Sequence, residues 1–305
     1  MTLKVLVTGA NGFIGSCLVE KLIEKGQDVR CLVRRTSNLK WINQCDIEII
    51  YGDICRTESL LDAVRDVDEV YHVGGIVRAV KSATLYDVNT IGARNLVEAV
   101  IKCNPGIKRF VYVSSQAAWG PSGKGAVSHY GRSKYKAEEW AKKIETYSIV
   151  RPVAVYGPRD MDLLPIFRLA QKGVFLRPAS GTGKLSFIHV DDCVDGIINA
   201  CISEESFLSD GTDYRWQDII EVLERVFVRK IRSVNLPRNL VRLMGAAGTL
   251  KGILTGHPAK LSYDKTREIF AGDWIVPGSS VKAKYGLESG FRATLDWYKK
   301  ENLIK

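Results

Sequence analysis

Along the first 150 residues, short apolar runs alternate with stretches of helical period. The runs at 4–8, 28–33, 48–51, 69–73, 109–114 and 148–150 predict strands, and the stretches near 12–25, 58–64, 83–103 and 130–147 predict helices. Runs such as Phe110-Val111-Tyr112-Val113 are apolar at successive positions, the pattern of a strand covered on both faces. Strand–helix alternation of this kind predicts a parallel sheet flanked by helices. After Tyr156-Gly157-Pro158 the alternation weakens, with a helix and loops over 158–186, one more strand at 185–190 and a helix at 191–201. From about 203 the pattern is mainly helical, broken by Pro237, Gly245, Gly248, Gly256, Pro258 and Pro277. The prediction is an α/β, doubly wound parallel-sheet domain of residues 1–157 plus about 185–202. A smaller, mainly helical lobe of residues 158–184 and 203–305 would cover the carboxyl ends of the strands, where open α/β sheets bind ligands. Its moderately apolar stretch 236–254 reads first as a packed helix, with a substrate entrance or a membrane-surface contact as alternatives.

Composition adds limits. The chain of 305 residues is long enough for a full core, and 46% hydrophobic with 26% charged residues is an ordinary soluble composition. No uninterrupted apolar run reaches the roughly 18 residues of a membrane span. The N-terminus opens directly into the first strand, so no secretory signal is expected. Seven scattered cysteines without a Cys-x-x-Cys pair predict reduced thiols and a cytoplasmic location, not a disulfide framework or a metal site. The net charge of +10 fits a solvated basic surface or a field that attracts anionic ligands such as dinucleotide phosphates. Basic residues lack an Arg-rich tail or aromatic interleaving, so no nucleic-acid partner is expected.

The first strand leads into Thr8-Gly9-Ala10-Asn11-Gly12-Phe13-Ile14-Gly15, which opens the first helix. Glycine suits the tight bend and the points where backbone meets a pyrophosphate, and the helix N-terminus offers free N–H groups to it. A carboxylate ending the second strand would select NAD; here Arg34-Arg35 stands, and Asp28 lies too early. An arginine pair accepts a 2′-phosphate by charge-assisted contact, so NADP is favoured over NAD. Asp53-Ile54 is placed for the adenine edge, with a helix-cap role for Asp53 as the alternative. Val73, Gly74 and Gly75 after the fourth strand let backbone pass close to a cofactor; Val113 and Pro152-Val153 complete the candidate contacts.

Tyr130 and Lys134 are four residues apart and so share one helix face. Free tyrosine has a pKa of about 10, and bringing it near 7 takes roughly 4 kcal/mol of preferential stabilisation of the phenolate. A neighbouring ammonium and a cationic cofactor ring act in that direction.

Together the motifs resemble the extended short-chain dehydrogenase/reductase family, of the NAD-dependent epimerase/dehydratase type. They are the glycine turn at 8–15, Asp87-Val-Asn89-Thr-Ile-Gly92, Val113-Ser-Ser115-Gln-Ala-Ala-Trp-Gly120, Tyr130-x-x-x-Lys134, Arg151-Pro-Val-Ala-Val-Tyr-Gly-Pro158 and Phe187-Ile-His-Val-Asp-Asp192. The resemblance covers residues 3–200 in order, and the C-terminal third matches only loosely. It implies Tyr130 as general acid or base and Lys134 as holder of the nicotinamide ribose, lowering the tyrosine pKa. It further implies Ser115, rather than Ser114, on the reacting oxygen and Asn89 in support. Asn89 also reads as a buried residue satisfied by backbone. His189 reads as structural, and His129 as pointing to another helix face.

Sugar-nucleotide members usually carry an asparagine where this chain has Ala154, and the loop between Gly120 and Tyr130 is short. In these details the chain resembles the alcohol- and ketone-reducing branch. The resemblance thus implies an NAD(P)-dependent oxidoreductase of a secondary alcohol or ketone, with an epimerase or dehydratase of a nucleotide sugar as second reading. A non-catalytic dinucleotide sensor is third, disfavoured by the intact Ser115, Tyr130 and Lys134. The substrate is a small molecule, anionic or apolar; Arg159, Arg168 and Arg177 are compatible with an anion. A homodimer through the helices near 84–103 and 130–147 is implied as well.

Overall fold

In the computed structural model, which describes residues 2–179 and 183–304, the first apolar runs become strands β1 (Lys4–Thr8), β2 (Asp28–Val33), β3 (Glu48–Tyr51), β4 (Glu69–His72), β5 (Arg109–Val113) and β6 (Tyr147–Pro152). Six more follow: β7 (Ala154–Tyr156), β8 (Val174–Pro178), β9 (Lys184–His189), β10 (Glu204–Leu208), β11 (Asp213–Arg215) and β12 (Arg232–Leu236). The helices are α1 (Phe13–Glu24), α2 (Ser82–Tyr86), α3 (Gly92–Cys103), α4 (Gln116–Trp119), α5 (His129–Ala141) and α6 (Leu164–Gln171), then α7 (Val190–Ile198), α8 (Trp216–Phe227), α9 (Arg238–Thr255), α10 (Tyr263–Ile269) and α11 (Leu287–Lys300).

Seven strands form one all-parallel sheet in the order β10-β6-β5-β4-β1-β2-β3. The order reverses between β1 and β4, which opens a crevice at their carboxyl ends, the usual ligand position of such sheets. The continuously apolar strands serve both faces in alternation. Val5, Val7, Val111 and Val113 pack with α1 and α7 through Leu18, Leu22 and Ile197. Leu6, Phe110 and Tyr112 pack on the opposite side with α3 and α5 through Leu96, Val97 and Ala137. A third core joins α6, α8 and α11, where Phe291 lies edge-on to Tyr156 (5.1 Å) and Phe167 (5.2 Å).

Several elements differ from the periodicity. The predicted 58–64 helix shrinks to a single 3₁₀ turn, Thr57–Leu60. The 83–103 helix is interrupted by a wide π turn at Asp87–Ile91, a deformation that recurs at functional sites. The 130–147 helix ends at Ala141, because Tyr147 already belongs to β6. Residues 204–208, expected in the second lobe, are instead the edge strand of the main sheet; their Glu-Glu-Ser-Phe-Leu sequence has only a weak strand pattern. The strand expected at 185–190 joins β7 and β11 in a separate three-stranded sheet, and β8 pairs with β12, so the second lobe carries strands as well as helices.

Candidate active site

The glycine turn has the shape that a dinucleotide requires. Gly9 takes φ +71°, and a Cβ there would meet the Gly74 backbone at 2.7 Å; one on Gly15 would meet the Gly9 carbonyl at 2.0 Å. The Gly12 N–H donates to the Gly9 carbonyl (3.0 Å), and Gly12 caps α1 without a side-chain acceptor, leaving the first helical N–H groups toward the crevice. This close-fitting, side-chain-free cradle suits the pyrophosphate of NAD(P). Thr8 joins it to β4, its Oγ1 lying 2.7 Å from Nδ1 of buried His72. Val73 donates its N–H to the Thr8 carbonyl (3.2 Å). Arg34 and Arg35 are exposed beyond β2, with the Arg35 guanidinium 5.0 Å from the Tyr51 ring centre.

Tyr130, Ser115 and Lys134 converge where α5 passes the ends of β5 and β6. Ser114 is committed elsewhere, since its hydroxyl donates to buried Glu138 (2.5 Å), which also binds Arg151. Ser115 caps α4, accepting from the Ala117 N–H (3.1 Å), and lines the same cavity as Tyr130. Lys134 is 4% exposed; its ammonium donates to the Val113 carbonyl (2.7 Å) and lies 4.3 Å from the Tyr112 ring centre. Burial pushes the Lys134 ammonium down to about 7, with Glu138 opposing.

The phenol departs from expectation. Burial pushes the Tyr130 pKa up to about 12; the hydrogen bond with Ser115 pulls it down, and the Glu268 carboxylate raises it further. Lys134 is not among the groups that shift it: a lysine that gives up its proton near 7 is neutral where this phenol titrates. Asn89 makes no hydrogen bond to either member of the pair. Its amide is fully engaged, donating to the Ile76 carbonyl (2.9 Å) and Ser133 Oγ (2.9 Å) and accepting from the Ile76 N–H (2.8 Å). Ser133 in turn donates to the Tyr130 carbonyl (2.7 Å), so Asn89 acts on Tyr130 only through the backbone of α5. The same bonds brace the chain at the π turn.

Glu268 is a residue that the sequence reading missed. It lies on α10, pairs with Lys265, and accepts from Ser128 Oγ (2.5 Å) across 140 residues of sequence. The cavity of about 380 Å³ beside Tyr130 and Ser115 is walled by Val153, Ala154, Leu185, Trp216, Phe270 and Trp274. The buried amide nitrogen of Gln116, also in this wall, has no hydrogen-bond partner among the described residues. A second cavity of about 650 Å³ reaches Tyr130 from the side of α2, along Val77, His129, Asp264 and Lys260. None of these lobe residues carries a local motif; only the three-dimensional path of the chain brings them to Tyr130.

Other candidates fall outside the cavities. Arg159 pairs with Glu20 (2.6 Å), Arg168 donates to the Leu303 carbonyl (3.1 Å) and Arg177 to Asn235 (2.6 Å), so these guanidiniums tie the structure together. Asp53 accepts from the Cys55 N–H (2.9 Å) within a local turn, and Ile54 packs against Gly92. Pro152 ends β6, and Val153, unlike Pro152, reaches the first cavity. His189 is buried, caps α7 and stacks 4.0 Å from the Tyr285 ring. Among the described residues, no group of His, Cys, Asp and Glu is arranged to hold a metal.

A doubly wound sheet with a glycine cradle at its switch point defines a dinucleotide-binding α/β protein. The sequence profile of the NAD dependent epimerase/dehydratase family matches residues 5–209, and the chain belongs to that family. It is 32% identical to a ceramide reductase of Caulobacter vibrioides over 97% of this chain and 94% of that one. It is 27% identical to the N-acetyl-alpha-D-glucosaminyl-diphospho-ditrans,octacis-undecaprenol 4-epimerase of Escherichia coli O157:H7, over 96% and 94% respectively. The fold is shared with the UDP-glucose 4-epimerase of Thermotoga maritima, at a TM-score of 0.74 and 22% identity over 98% of this chain and 100% of that one. Reductases and epimerases both occur among the relatives, which supports an oxidoreductase-type, NAD(P)-dependent enzyme.

Proposed function

We propose that this chain is an NADP-dependent reductase of a ketone carried by a long-chain lipid. The observation that carries this reading is the cavity next to Tyr130 and Ser115, whose remaining wall is dominated by Val153, Leu185, Trp216, Phe270 and Trp274. An apolar chain gains from burial against these side chains, at about 25 cal/mol per Å² removed from water, and Ser186, Arg238, Lys265 and Glu268 form a polar part of the same lining. The similarity to a ceramide reductase extends over nearly the whole of both chains, second lobe included. Ala154 offers no amide to a nucleotide diphosphate, and the unpaired amide of Gln116 offers one donor to a polar group on the lipid.

Bound nicotinamide supplies the hydride. In this reading Tyr130 gives its proton to the ketone oxygen as that oxygen becomes a hydroxyl, and Ser115 holds the same oxygen by a hydrogen bond. A phenol with a pKa of about 12 stays protonated at neutral pH, so it is loaded for reduction. Lys134 anchors α5 to β5 through Val113 and stands ready to meet the ribose. Exposed Arg34 and Arg35 are free to take a 2′-phosphate. The reading includes a homodimer through α3 and α5, whose outer faces expose Ile101 and Tyr135, and a reducing, cytoplasmic setting suited to seven free cysteines.

The test is consumption of NADPH by purified protein with a detergent-dispersed 3-ketone lipid, beside UDP-sugars. Lipid-dependent oxidation of NADPH is the expected result. Isomerisation of a UDP-sugar without net NADPH loss would overturn the assignment.

A further inference from the structure

Helix α9 is built inside out. Its inward face is glycine: Gly245 and Gly252 are buried, and a Cβ on Gly248 would meet the Leu261 carbonyl at 2.1 Å. At Gly245, Gly248 and Gly252 the helix thus lies flush on the segment 257–266, with Val241 as the buried side chain nearer its start. Its outward face is apolar. Leu240, Leu243, Met244, Leu250 and Leu254 are 44%, 67%, 45%, 58% and 77% exposed, and at 100° per residue they share one side of the helix with Ala247. A surface helix of a globular protein normally shows the reverse arrangement, and a contiguous apolar patch of this kind marks a contact surface.

The charge around this face identifies the partner. Residues 228–263 contain seven Lys or Arg and no Asp or Glu, so this segment alone accounts for +7 of the net +10. Arg242 borders the exposed apolar side next to Ile253, and Lys251 sits within the stripe on a stem long enough to lift its ammonium clear, while Arg238 turns inward over the Phe270 ring. An apolar stripe bordered by cations matches the boundary between acyl chains and anionic headgroups. A copy of this chain would bring an equally positive surface to the same place. The helix also overlies the site: Arg238 lines the first cavity and Thr249 the second, and both cavities reach Tyr130.

We infer that α9 is a docking helix for an anionic lipid surface, lying in the plane of the headgroups with its apolar side on the bilayer and the active-site cavities behind it. This is contact from one side; among the described residues no helix is long and apolar enough to cross a membrane. The inference goes beyond the proposed reaction and holds for any substrate of this site.

Co-sedimentation of the full chain with vesicles tests it. Vesicles of equal parts phosphatidylglycerol and phosphatidylcholine should bind at least tenfold more protein than phosphatidylcholine alone, and about 0.5 M salt should weaken that binding. The double variant Leu243→Glu, Leu254→Glu changes two exposed side chains and should lose at least tenfold in vesicle binding. Its thermal shift with NADPH should stay that of wild type, which reports an intact fold and cofactor site whatever the substrate. Equal binding of variant and wild type to anionic vesicles would overturn the inference. Absence of vesicle binding, with or without a dimer that the double variant abolishes in sedimentation equilibrium, would overturn it as well.

Discussion

Lys134→Met should make the protein more stable at neutral pH while stopping its chemistry. Lys134 is 4% exposed, and burial moves its pKa from 10.5 to about 7. At about 1.4 kcal/mol per tenfold, that displacement corresponds to roughly 5 kcal/mol against the charged form in the folded state. The unfolded chain keeps this proton up to about pH 10.5, whereas the folded chain releases it near 7. Between those values the unfolded state binds more protons, so the Lys134 contribution to stability rises with pH and its penalty is gone above 10.5. Methionine fills the space without a charge and forfeits the bond to the Val113 carbonyl, worth about 1 kcal/mol. The variant should therefore exceed wild type by about 3 to 4 kcal/mol at pH 7 and fall about 1 kcal/mol below it by pH 10.5. Urea unfolding followed by tryptophan fluorescence, at half-unit steps from pH 6.5 to 10.5, measures the difference. Taking wild type against variant cancels the titration of the buried cysteines and tyrosines. A difference that stays constant across this range would refute the assignment of a strained, charge-penalised lysine.

Tyr130→Phe should abolish turnover while NADPH affinity, read by fluorescence titration, stays within a few fold; retained turnover would remove Tyr130 from its proposed role. Glu268→Gln removes a carboxylate that raises the Tyr130 pKa, so the rise of alcohol oxidation with pH should move to lower pH. A superimposable pH profile would show that Glu268 does not act on the phenol. Arg34→Ala with Arg35→Ala should weaken NADPH binding at least tenfold and leave NADH binding unchanged, and an equal loss for both would return the choice between NAD and NADP to open. Gly15→Ala puts a methyl 2.0 Å from the Gly9 carbonyl and should lose the thermal shift with either dinucleotide; an unchanged shift would contradict the proposed cradle.

What could be read from sequence followed the range over which physics acts. The glycine turn, Ser115 and the Tyr130–Lys134 spacing are set within one strand–turn–helix unit, and each is legible because its geometry is local. The five inner strands of the main sheet were legible for the same reason, since burial on both faces leaves an apolar run, and the edge strand β3 was legible through Ile49-Ile50. The edge strand β10 was not, because an edge half open to water carries glutamates and reads as loop. The upward shift of the Tyr130 pKa in the chain without cofactor was not legible. That shift depends on burial under the second lobe and on Glu268, and neither has a counterpart in the Tyr-x-x-x-Lys pattern. For α9, the apolar residues were visible, but the side they face is decided by Gly245, Gly248 and Gly252 against residues 257–266.

The two unexpected features of the second lobe are mechanically one. Helix α5 carries Tyr130 and Lys134, and its N-terminus is gripped from α10: the His129 N–H donates to Asp264 (2.8 Å), and Ser128, which caps α5 by accepting from the Gly131 N–H (3.0 Å), donates to Glu268 (2.5 Å). Two carboxylates at a helix N-terminus are favoured by its partial positive charge, which holds α10 in place. Helix α10 is in turn fastened to α9, through the Tyr263 N–H to Thr249 (2.9 Å) and the close seating of Gly245 on Thr266. Helix α9 is thus linked to α5 through α10, with Glu268 as the charged group nearest the phenol on that route. The helix inferred to dock on lipid and the residue proposed to protonate the substrate are joined through α10.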